Sequence, residues 1–105
     1  MISQDRIRAL ALALPLAVEQ DHHGFPSFRV KGKIFATMPD AARLHVMLPE
    51  AQIDAALAPK IAALEELWWG KRRCGVRVDP GRASVKLVET LLKQAWTAKA
   101  GTLAS

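Results

Sequence analysis

From Val18 to Leu48 the chain reads as short extended runs separated by turn residues, and no other stretch limits its fold so tightly. The runs are Val18–His23, Ser27–Lys31, Lys33–Met38 and Arg43–Leu48. In Phe28-Arg29-Val30-Lys31 apolar and basic residues alternate, the period of a strand with one buried face. Lys31-Gly32 predicts a two-residue hairpin turn, because glycine supplies the positive φ that such turns need. Phe28 would then face Phe35 across the ladder and pin the register. Pro39-Asp40 predicts the next turn. Strands joined this tightly pair antiparallel.

Helices flank the extended region. Ser3 is placed to cap a first helix and Asp5 suits its positive end, with Pro15 stopping it near Leu14. Pro49 opens a second helix at its first position, burying Ile53, Ala56 and Leu57. After Pro59, the spacing of Ile61, Leu64, Leu67 and Trp68 predicts a further helical piece ending at Gly70. Arg73–Asp79 reads as a strand with Cys74, Val76 and Val78 on one face and Arg73 and Arg77 on the other. A last helix over Ala83–Lys99 buries Val88, Leu91, Leu92 and Ala95, with Glu89 and Lys93 in the favourable i,i+4 order. This order predicts an α+β fold of two layers, an antiparallel β-sheet covered by helices on one face. Residues 1–100 are expected to form a single domain, with 101–105 a frayed tail.

At 105 residues there is room for one core only. Two arginines before nine apolar residues in "RIRALALALPLA" imitate a signal peptide. Asp5 and Pro15 are wrong for one, however, and Ile7, Leu10, Ala11 and Leu14 form a helical stripe. No run has the length of about twenty apolar residues that a membrane span requires. The single Cys74 has no internal partner for a disulfide, which suits a reducing compartment, and a cytoplasmic location is expected.

Catalytic and metal-binding patterns are weak. Asp21, His23 and His45 could meet only if the register brought them together, and no paired ligand spacing of a zinc site occurs. No serine lies in a nucleophile elbow, and no glycine-rich phosphate loop is present. Cys74 alternates with valines as a small buried hydrophobe does. Glu65 and Glu66, read on a helix, diverge by 100° and make no acid–base pair. A non-enzymatic role without cofactor or metal is therefore expected.

Charge is more informative. The net charge is +5, and 9 of the 15 basic residues lie after residue 50 against 5 of the 10 acidic ones. Such a balance favours anionic partners. The hairpin around Lys31-Gly32 presents Arg29, Lys31 and Lys33, and Arg43 is outward on the following strand. "WGKRRCGVR" adds Lys71, Arg72, Arg73 and Arg77 at a second basic edge. Phosphate contact through these eight residues is one expectation. A protein or small-ligand site built from Trp68, Trp69, Phe25 and Met47 is the other, aromatic anchors being typical of interfaces. Plain edge protection by lysine and arginine explains the same basic residues without a ligand.

The blocks "DHHGFPSFRVKGKIFATM", "RLHVMLP", "WGKR" and "VRVDP" before a final helix resemble the MmcQ/YjbR family, over roughly residues 3–96. The matching positions are Phe28, Arg29, Gly32, Lys33, Phe35 and Ala36, with Trp69, Gly70 and Lys71. Met47 and Cys74 depart from the pattern, where a lysine and a tryptophan are usual, and the tail after Trp96 lacks a basic ending. The resemblance implies a CyaY-like two-layer fold and DNA binding through a double-wing motif like that of the MotA C-terminal domain. Frataxin-like iron binding is not implied, since it relies on acidic ridges and this chain is basic.

Overall fold

In the computed structural model, which describes residues 2–101, three helices and six strands follow one another. They are α1 (Gln4–Leu12), β1 (Val18–His22), β2 (Phe25–Val30), β3 (Lys33–Asp40), β4 (Arg43–Met47), α2 (Glu50–Leu57), β5 (Leu64–Trp69), β6 (Arg72–Val78) and α3 (Val85–Ala100). The strands form one antiparallel sheet in the order β1-β2-β3-β4-β6-β5. Ile7 of α1, Ile53 of α2 and Val88 and Leu92 of α3 join Phe28, Val30, Leu44, Val46, Val76 and Val78 in one hydrophobic core. All three helices thus cover one face of the sheet and leave the other open.

Local chemistry accounts for the element ends. The Ser3 hydroxyl accepts from Arg6 N at 3.1 Å, and Ser84 does the same for Leu87 N at the start of α3. Two hairpin turns, His23-Gly24 and Lys31-Gly32, have positive φ at both residues, as type I′ turns require. The next turn falls at Ala41-Ala42, two residues beyond the expected Pro39-Asp40, because β3 continues through Pro39 to Asp40. The Asp40 carboxylate accepts from Ala42 N at 2.9 Å and closes that turn. Pro49 is the N-cap of α2 and not its first residue.

The register of the central hairpin corrects a second expectation. Phe28 pairs with Ala36, not Phe35, and Arg29 with Ile34, so Phe35 is the extra residue of a bulge. The bulge drops Phe35 and Ala36 in succession into the core, where both are fully buried.

The region predicted as a third helical piece is instead the edge strand β5. Its helical spacing was misleading, because Leu64 and Leu67 are buried on opposite faces. Leu64 joins the helix-covered core, and Leu67 lies outside it. Gly70-Lys71 is a two-residue turn, with Trp69 paired to Arg72. In β6, Leu67 pairs with Gly75 but Trp68 pairs with Arg73, leaving Cys74 as an extra residue. That bulge turns Arg73 toward the helix-covered face, where the sequence alternation had placed it opposite the valines. At Gly75 the backbones of β4 and β6 approach so closely that an added Cβ would strike the Val46 carbonyl oxygen and lie 2.9 Å from its carbon. α3 runs one residue past the expected Lys99, and residues 102–105 of the predicted tail lie outside the described residues. No helix among the described residues is long and apolar enough to cross a membrane.

Candidate nucleic-acid interface

Antiparallel order fixes which ends of the strands lie together. The Lys31-Gly32 turn, the end of β4, and the Gly70-Lys71 turn share one end of the sheet. His23-Gly24 and Ala41-Ala42 occupy the other. With about 4.8 Å between strands, the two basic tips stand roughly 14 Å apart along the sheet, separated by β4. The Lys31 ammonium donates to the Ala100 carbonyl at 3.0 Å, so the C-terminus of α3 and its Lys99 reach the same end.

The eight predicted cations do not form one continuous patch. Lys31, Lys33, Lys71 and Arg72 gather at the shared end, all exposed. Lys33, Lys71 and Arg72 have no ion-pair partner among the described residues. Arg29 lies half-buried on the open face, its Nε donating to Ser27 Oγ at 3.1 Å. Arg43 is at the far end, where it donates to Asp40 from two nitrogens at 2.9 and 2.6 Å. Its guanidinium holds the Asp40 carboxyl below the ordinary range, helped by Ala42 N. Arg77 reaches Glu65 at 3.6 Å. Arg73 is enclosed by three carboxylates: Glu50, Asp54 at 2.6 Å and Glu66 at 3.1 Å. Those contacts, Glu50 first, raise its pKa further and tie α2 to the β5–β6 hairpin.

The aromatic residues are also divided. Trp68 and Trp69 are exposed, at 54% and 83%. Phe25 sits at the far end of the opposite edge, against His22 with ring centroids 5.4 Å apart, and cannot share a site with them. Met47 does lie at their end of the sheet, in register with Gly75 and thus beside Leu67. Trp68 opens onto a cleft of about 510 Å³ with Glu50, Glu66, Lys71, Arg72 and Arg73. Trp96 is tied down by its indole N–H, which donates to Pro15 O at 2.9 Å.

The histidines take different places. His23 has φ +55 in the turn and its ring lies tilted by 59° against His22, centroids 4.5 Å apart, while Asp21 accepts from Gly24 N. His45 lies three strands away, so the register does not unite it with them. It belongs to a row across the open face, Ser27–Thr37–His45–Arg77–Glu65. His45 Nε2 and Arg77 Nε are buried there without a hydrogen-bond partner among the described residues. Burial, then Arg77 and Arg43, push the imidazole pKa down. The half-buried Cys74 thiol is pushed up, mainly by burial, and points at Leu67 O at 3.7 Å.

Sequence reasoning missed this polar row and the cross-strand pair of Trp69 with Arg72. The second was legible in "WWGKRR", where a Gly-Lys turn between aromatic residues and arginines signals a two-residue hairpin that would set Trp69 opposite Arg72.

A family model described as YjbR matches residues 12–98, from the end of α1 to near the end of α3. The chain belongs to the YjbR family. The match spans both basic hairpins of this YjbR chain and the whole sheet between them. Comparison with curated proteins and with solved structures gives no significant match.

Proposed function

We propose that this YjbR-family chain is a non-enzymatic DNA-binding protein that holds phosphates between two hairpin tips. One observation carries the reading: Lys33, Lys71 and Arg72 are exposed at one end of the sheet with no carboxylate paired to them among the described residues, and Lys31 stands beside them. A strand of phosphates is the ligand that rewards several unpaired cations on two rigid projections. The double-wing resemblance of the family supports the same reading. Arg43, Arg73 and Arg77, engaged by carboxylates, contribute less, and Arg29 contributes from the open face. A non-enzymatic role agrees with a Cys74 thiol whose pKa is raised and a Ser27 hydroxyl that donates to Gln20 O at 2.8 Å.

The test is a binding titration across a salt series. Each neutralised phosphate on duplex DNA contributes about −0.9 to the slope of log affinity against log salt. Three or four contacts give a slope of about −3 to −4. Absence of binding at low salt to both duplex and single-stranded DNA would end the proposal. A second reading, a protein-binding module, is favoured by the exposure of Trp68 and Trp69. It predicts a partner whose binding responds to those two residues and is insensitive to salt.

A further inference from the structure

The β5–β6 hairpin carries two tryptophan–arginine pairs, one on each face. Trp68 and Arg73 are opposite each other on the helix-covered side, and that arginine is consumed by Glu50, Asp54 and Glu66. Trp69 and Arg72 are opposite each other next to the turn, where alternation starts them on the open side and the Arg72 and Lys71 side chains, at the very tip, also reach the rim of the Trp68 cleft. There the indole is 83% exposed, and Arg72 has no ion pair among the described residues. Lys71 follows in the turn itself. A large aromatic surface this open adds nothing to the core, and the adjacent unpaired cations make a neutral apolar partner a poor fit.

Resting on the phosphate-binding reading above, we infer that Trp69 is a stacking platform for an unpaired base, with Arg72 and Lys71 holding the phosphates beside it. The ligand class is single-stranded nucleic acid. Bases within a duplex already stack on one another, so their faces are closed to an indole, whereas an unpaired base offers its whole face. Cross-strand neighbours have Cβ atoms only about 5 Å apart, so one nucleotide can reach the ring with its base and the guanidinium with its phosphate. Because every base has a π-face, the site recognises strandedness and not sequence.

Fluorescence anisotropy with a labelled oligothymidylate of about twelve nucleotides, within the usual span of single-strand sites, tests this against a duplex of equal length. An oligouridylate probe run in parallel tells DNA from RNA, and binding of either supports the platform. Trp69→Ala is expected to weaken single-strand binding roughly five- to a hundredfold, the loss of one base stack, while duplex binding stays within about twofold. Trp69→Phe should recover most of that loss. Arg72→Ala should weaken both ligands and reduce the salt slope by about one. If duplex binds but Trp69→Ala leaves oligothymidylate affinity unchanged, the platform is refuted and the phosphate reading stands. An equal loss in Trp68→Ala would also refute it, because that indole is on the other face. If no probe binds even at low salt, both fall together.

Discussion

The two hairpin tips at the basic end of the sheet share their turn residue types and are anchored differently. Both are two-residue turns of glycine and lysine. The β2–β3 tip is flanked by β1 and β4, its root is a bulge that buries Phe28 and Phe35, and Lys31 is tied to the end of α3. The β5–β6 tip lies at the sheet edge, with Trp69, Lys71 and Arg72 all open to solvent. The first uses a cation to hold the fold together, and the second leaves Lys71 and Arg72 without an ion-pair partner among the described residues. A lysine beside a turn glycine is therefore not evidence of binding until its partner is known.

The contrast is broken most sharply by stability. Phe35→Ala, at the root of the first hairpin, should cost about 3–5 kcal/mol, as for other fully buried phenylalanines. Trp69→Ala, near the tip of the second, should change stability by less than about 0.5 kcal/mol. Chemical denaturation of both variants measures the difference, and similar losses would mean that the second hairpin is as deeply rooted as the first. A smaller effect separates the lysines. Lys31→Ala should cost about 0.3–1 kcal/mol through loss of a cation at the α3 C-terminus, whereas Lys71→Ala should leave stability unchanged and reduce the salt slope of DNA binding by about one.

The smallest effect is a pH dependence. His45 titrates lower in the fold than its ordinary 6.5, so the unfolded chain binds its proton first. Its contribution to stability is complete above pH 6.5 and is lost as pH falls toward the depressed folded value, so stability rises with pH across that window. His45→Gln should remove this component from a pH series of denaturation midpoints. An unchanged series would show that the imidazole titrates normally.

Much of the fold was legible because period and turn chemistry agreed from Val18 to Leu48. The two-layer arrangement, the inward set Leu44, Val46 and Leu48, and the Lys31-Gly32 turn all follow from residues a few positions apart. What failed depended on bulges. Nothing in "KIFATM" says that Phe35 is the extra residue, and nothing around Cys74 says that Arg73 changes face. Both outcomes are settled by packing across the sheet. Leu64, Leu67 and Trp68 imitated a helix because an edge strand buried in two places on opposite faces has the same spacing. The candidate site was legible as a list of cations but not as a surface, since the carboxylates that take up Arg73 lie on α2 and β5.

The tight seam at Gly75 has a further consequence. Between the two tips stand only β4 and its contact with β6, and at that contact there is no space for even a methyl group. The gauge that spaces one set of charges from the other is thus main chain against main chain, with no side chain able to act as a shim. A substitution there would leave every cation in place and still spoil their alignment.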